Sequence, residues 1–335
     1  GGGGGGAWDG EQKGIMAGED LTGKVALITG ASLVIGRSTA LALARNAGAA
    51  PATVLTAADV HVDGYPTVMA VRRIGEILAR ETGGRLGTRV YHAGQLGREG
   101  DTVSLARFGA LDLTRVNMAA LNNMFPATRI LSLPYVFDSV AHLRRALDGA
   151  PGREILQSFA RKDLVGLAYY DAGARCFYNA RRPVRVPADL AGLKIRVPPS
   201  DIFMDLVRTL GANPTPLAFG EVFSALQTGL IDGAENNWQT FHTSRQFEVA
   251  HEWSQTEHSY SPEALLMSRR RFEALAPADQ ELLRGAAAES VPYMRELWDQ
   301  SEIRSREIVL AAGTRIAEVD RAAFRAAAQP VLEPS

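Results

Sequence analysis

A single cysteine, Cys176, leaves the chain unable to form an internal disulfide, so its fold rests on packing and hydrogen bonding. So few cysteines suit a cytosolic or a periplasmic protein equally, and a lone cysteine reads as a small buried hydrophobe rather than a nucleophile. Charge of one sign is lacking too: 36 basic residues face 37 acidic ones, for a net charge of −1. No basic or acidic block favours nucleic acid or an anionic membrane surface. No apolar run approaches the roughly 18 to 20 residues that a membrane-spanning helix requires. The histidines His61, His92, His142, His242, His251 and His258 show neither His-x-x-x-His nor His-Glu-x-x-His spacing, so neither a metal nor another cofactor is expected. A Gly-x-Ser-x-Gly elbow is missing, and hydrolysis finds no support.

What is present describes a globular chain. Its 335 residues, 46% hydrophobic and 22% charged, supply a sizeable core and suit roughly two domains. Residues 1–57 read as a partly disordered leader or tail. Within it, 21–46 have the pattern of strand, glycine turn and helix, and 47–57 have the small-residue composition of a linker. From Ala58 onward strands and helices alternate. Asp59 to Val62 reads as a short strand. Pro66 opens a helix with Val68, Val71, Ile74, Ile77 and Leu78 at helical spacing, closed by Gly83-Gly84. Strands follow at Arg85–His92, Leu111–Val116, Leu164–Tyr169 and Leu193–Val197. Helices are expected at Asp101–Phe108, Asp138–Leu147, Arg153–Arg161, Asp201–Leu210, Phe219–Gly229, Pro277–Ser290 and Val291–Leu310. The alternation predicts an α/β chain with at least two sheets.

Two stretches carry family resemblances. Thr29-Gly30-Ala31-Ser32-Leu33-Val34-Ile35-Gly36, after the strand Val25–Ile28, resembles the first turn of short-chain dehydrogenases/reductases, where backbone N–H groups approach a dinucleotide. The likeness spans about residues 20–46. Val34 occupies the place of the middle glycine, and no Tyr-x-x-x-Lys pair follows, so an NAD(P)-dependent oxidoreductase is the less favoured alternative.

From about Ala58 to the C-terminus the chain resembles the substrate-binding proteins of tripartite ATP-independent periplasmic (TRAP) transporters, of the dicarboxylate-receptor type. The landmarks run in family order and include Gly64-Tyr65-Pro66-Thr67-Val68, Ser132-Leu133-Pro134-Tyr135, Gly173-Ala174-Arg175-Cys176-Phe177-Tyr178-Asn179, Asp189–Val197 and Gly229–Asn237. The resemblance implies a two-lobe periplasmic-binding-protein-like α/β fold with hinge strands and a long connecting helix. Lobe 1 is expected over 58–173 plus about 261–300, and lobe 2 over 174–260 plus about 301–335. It further implies a periplasmic monomer that closes on a small organic acid and delivers it to membrane permease subunits. A sensor role is the other use of such a module.

An enclosed carboxylate needs a positive partner with directional donors, and arginine supplies a planar fork. Arg196 ends an apolar strand, where ligands of α/β sheets gather, and matches the family's carboxylate-clamping arginine. Arg175 matches a second arginine near the ligand, with a hinge ion pair as its other reading. Asn236 matches a ligand-contacting asparagine, whose amide both donates and accepts; a turn role is the alternative. Glu99 is expected to accept from ligand hydroxyls or to cap the helix beginning near Asp101. Asn117 ends the strand from Leu111, with Arg115 on the same face. Phe219 is a candidate apolar wall or core residue, and His258 a candidate pocket neighbour or a packed histidine. Two arginines with Glu and Asn acceptors favour a sugar acid such as a hexuronate. C4-dicarboxylates and 2-hydroxy or 2-keto acids are the alternatives.

Overall fold

Thr53-Val54-Leu55-Thr56-Ala57-Ala58 forms β1, the first element of a computed structural model that describes residues 53–332. The dehydrogenase-like stretch at about 20–46 lies outside those residues. β1 occupies part of the segment expected to be a linker, and Asp59–Val62, expected as a strand, is the turn that follows it. The physical reason is its position inside a sheet: Leu55, Ala57 and Ala58 are buried, and small side chains let helices pack closely without leaving an alternating pattern.

Pro66–Glu81 is a helix, with Pro66 pre-set for its first turn and Val68, Val71, Ile74, Ile77 and Leu78 all buried. Each of those side chains contributes roughly 1.5–3 kcal/mol of burial, an upper figure because unfolded chains already hide some surface. Gly83 and Gly84 carry the chain out of the helix at φ +62° and +88°, left-handed values that favour glycine.

Two sheets follow from the pairing. In the first the order is β2 (Leu86–Tyr91), β1, β3 (Leu113–Asn117), β10 (Glu263–Ser268) and β4 (Leu164–Tyr170). β1 runs parallel to β2 and β3, while β10 is antiparallel to β3 and β4. In the second the order is β11 (Arg315–Ala317), β9 (Glu252–Ser259), β5 (Arg175–Asn179), β8 (Gly233–Asn236), β6 (Lys194–Val197) and β7 (Asn213–Pro216). The chain passes between the sheets from β4 to β5, back from β9 to β10, and once more along the helix Pro277–Ala311. This is a two-lobe periplasmic-binding-protein fold.

Period-two alternation divides the core. Tyr169, Ala264 and Leu266 join one apolar cluster of the first sheet, while Ala168, Tyr170, Leu265 and Met267 join the other. The second sheet is divided likewise, with Phe177, Ile195 and Val197 in one cluster and Cys176, Tyr178 and Ala234 in the other. Cys176 is thus a fully buried packing residue, and burial pushes its thiol pKa up.

Gly233 explains one landmark. A Cβ there would stand 2.4 Å from the Tyr178 carbonyl oxygen and 2.7 Å from the Asn179 Cβ, because β8 is flanked by both β5 and β6. Only hydrogen fits that approach.

Two further helices depart from expectation. Pro277–Ser290 and Val291–Leu310 are one helix of 35 residues with Pro292 inside it. The proline removes one backbone donor, but packing against Pro66–Glu81 and Trp238–Thr243 holds the helix through that point. Phe219–Gly229 resolves into a 3-10 turn, Phe219–Glu221, and a short helix, Val222–Gln227.

Candidate ligand-binding site

The carboxyl ends of β1, β3, β6 and β8 meet the two hinge crossings at one cavity. This is the place where α/β sheets gather ligands. Its lining includes Arg196, Arg175, Asn236, Glu99, Asn117 and Phe219, six side chains drawn from both sheets and their loops.

Arg196 is the unusual member. Its guanidinium is buried, and both Nε and Nη2 donate to the single carbonyl oxygen of Leu217, at 3.0 and 2.7 Å. Among the described residues it has no carboxylate partner within ion-pair distance. Burial, and then the neighbouring Arg175, hold its pKa below the ordinary arginine value, with Glu235 opposing. A guanidinium carries five N–H donors, so Arg196 keeps donors for an incoming anion.

Arg175, the first residue of β5, is compensated. Its Nε and Nη2 donate to the two carboxylate oxygens of Glu235 at 2.5 and 2.7 Å, and its guanidinium lies 5.3 Å from the ring centroid of Phe203. The arginine therefore lines the cavity and makes a hinge-side ion pair at once. Burial would raise the carboxyl pKa of Glu235, but Arg175 and His258 together hold it below its usual value.

His258 lies behind this pair and does not line the cavity. It is fully buried, stacks on Phe177 at 4.3 Å, and places Nδ1 2.9 Å from Thr256 Oγ1 and Nε2 3.4 Å from Glu235 Oε2. Its place in β9 accounts for the difference: the side chain is directed into the sheet's own packing, so it supports Glu235.

The opposite wall is built around Arg115, which is completely buried. It pairs with Asp59, with Glu263 at 2.5 Å and with Glu99 at 3.1 Å. Burial alone would lower its pKa, but the three carboxylates outweigh that and raise it. Glu99 opens the helix Glu99–Phe108 and accepts the backbone N–H of Asn117 at 2.8 Å. Burial beside Glu263 and Asp59, relieved only in part by Arg115, pushes its pKa up to about 7. Asn117 caps the short helix after β3 through Ala119 N and donates Nδ2 to Glu263 at 3.1 Å. Asn236 accepts the N–H of Asn237 at 2.9 Å, leaving its amide nitrogen without a partner among the described residues. Asn237 itself caps the next helix through Thr240 N.

Sequence reasoning did not single out Glu263, Thr240 or His61, which also line the cavity, nor Glu235, which pairs with Arg175. Glu235 stood within a quoted motif beside Asn236, and an acid next to a candidate ligand residue was a usable signal. Glu263 follows the second crossing, in a stretch to which no element was assigned.

Residues 57–335 match the model of bacterial extracellular solute-binding protein family 7. The chain belongs to this family. It is a TRAP-type solute-binding protein. A solute-binding protein of Chromohalobacter salexigens is 37% identical over 276 residues, covering 82% of each chain. The crystal structure of a TRAP periplasmic solute binding protein from Bradyrhizobium sp. BTAi1, in complex with alpha/beta-D-galacturonate, is 48% identical with a TM-score of 0.82, over 83% of this chain and 93% of that one. One from Roseobacter denitrificans with bound beta-D-glucuronate is 40% identical with a TM-score of 0.81, over 84% and 93%. The family match begins at residue 57 and gives the dehydrogenase-like stretch no support.

Proposed function

We propose that this solute-binding protein captures a hexuronate from the periplasm, as a monomer, and presents it to the membrane permease of a TRAP transporter. The observation that carries the reading is Arg196: a buried cation on a cavity wall, with donors unused and no carboxylate partner among the described residues. In this reading the sugar carboxylate takes the fork of Arg196, with Arg175 beside it. Asn236, Glu99 and Asn117 accept from or donate to hydroxyls, and Phe219 covers an apolar face of the ring.

The polarity of the cavity supports a hydroxylated monoacid. Opposite Arg196, Asp59 and Glu263, with the partly protonated Glu99 beside them, share the one cation Arg115, so a second ligand carboxylate at that end meets like charge. The galacturonate and glucuronate held by the Bradyrhizobium and Roseobacter relatives support the same class. The lobes we assign are 58–173 plus about 261–300 and 174–260 plus about 301–335. They close about the two strand crossings, with ligand shifting an open–closed equilibrium.

Calorimetric titration with D-galacturonate, D-glucuronate and succinate tests the reading. Binding of one or both uronates, with succinate much weaker, is expected. Succinate as the sole binder would sink it.

A further inference from the structure

His61 stands just beyond β1 on the cavity wall, with its backbone N–H donated to Asp59 Oδ1 at 2.8 Å and its carbonyl accepting from Ala93 N at 2.6 Å. Its ring lies flat on Tyr65, 3.8 Å between centroids and 9° between planes, and meets the edge of Phe219 at 5.2 Å. Tyr65 is itself pinned, its hydroxyl 3.0 Å from Thr240 Oγ1 and its ring edge-on to Trp298 at 5.9 Å. The imidazole plane therefore has little freedom.

Only 6% of His61 is exposed, yet neither ring nitrogen bonds to another described residue. Both nitrogens are thus left to the space of the cavity that His61 lines, which suits a group that arrives with the ligand. Burial first, and then Arg115, keep the ring uncharged, with a pKa near about 3, although Asp59 pulls the other way. A neutral imidazole has one donor and one acceptor nitrogen, and a hydroxyl likewise both donates and accepts. A carboxylate only accepts, so it satisfies one role alone.

We infer that His61 is a specificity-determining residue that hydrogen-bonds a ring hydroxyl of the bound sugar acid, its plane set by Tyr65 and Phe219. This rests on the hexuronate reading above.

The test compares wild type, His61→Phe and His61→Gln by calorimetry with D-galacturonate and D-glucuronate. His61→Phe keeps a flat ring on Tyr65 and removes both nitrogens; it is expected to bind roughly ten- to a hundredfold more weakly. His61→Gln keeps a donor and an acceptor and is expected to stay within about fivefold of wild type. Uronate affinity in His61→Phe within twofold of wild type would overturn the inference and leave the hexuronate reading standing; a wild type that takes neither uronate overturns both. A second measurement needs no variant to bind: long-range nitrogen–proton spectra of histidine-labelled wild type, with His61→Gln used only to assign the signal. The ring nitrogens of His61 are expected to shift on adding galacturonate, and signals that stay in place contradict the proposed bond.

Discussion

Arg175 and Arg196 are buried on the same cavity, but only Arg175 has a carboxylate, Glu235, while Arg196 rests on the carbonyl of Leu217. The pair thus divides its work between holding the structure and awaiting an anion. That division gives opposite consequences for stability and for binding when each is altered.

Arg196→Ala should weaken uronate binding by about 3–5 kcal/mol, because the ligand carboxylate is then enclosed without its cation. The ligand-free variant should unfold at a higher temperature than wild type, since an uncompensated buried charge has been removed. Calorimetry and thermal melts measured side by side check both signs; unchanged affinity refutes the clamp.

Glu235→Gln should act on folding instead. It leaves Arg175 charged and unpaired beside Arg196, a loss on the order of 3–5 kcal/mol in urea unfolding. The conservative shape of glutamine keeps the packing, so the loss reports charge. A variant as stable as wild type would show that Arg175 finds another partner.

Glu99 predicts a pH dependence. Burial raises its folded pKa from the ordinary 4.5 to about 7, so between those values the folded state holds more proton than the unfolded one. Stability therefore falls as pH rises through that window, by on the order of 3 kcal/mol from this group. Below the window the cost is absent, and above it the cost is complete. Glu99→Gln should flatten the stability profile between about pH 5 and 8 relative to wild type. Parallel profiles for the two proteins would assign the slope to other groups.

Gly233→Ala should destabilise the protein by about 1–3 kcal/mol, as an inserted methyl pushes β5 away from β8. The contact it meets is the Tyr178 carbonyl at 2.4 Å, which is backbone and cannot swing aside. Because Glu235 and Asn236 follow in the same strand, uronate affinity should drop as well. A urea midpoint equal to wild type argues against the close approach.

The helix Pro66–Glu81 was legible because its burial is local: a proline, five apolar side chains at helical spacing and a glycine pair are read without knowing what covers them. Arg196 was legible for a similar reason, as a charged residue near the end of an apolar strand in a landmark run. β1 was not, because a strand of small residues enclosed between neighbours shows no alternation. The unbroken helix at Pro292 was hidden as well, since a proline reads as a stop unless tertiary packing overrides it.

The α/β class, the order of most elements and six of the cavity-lining side chains follow from pattern and family landmarks in the chain itself. Which acid faces which arginine does not. Arg115 meets Glu263 across 148 positions, because the chain crosses to the second sheet and returns before the pair forms; Arg175 meets Glu235 across 60, because β6 and β7 are laid down between β5 and β8. Periodicity records which face of a segment is buried, not the segment that covers it. The compensation of Arg115 and Arg175, and the lack of it at Arg196, are consequences of that long-range assembly.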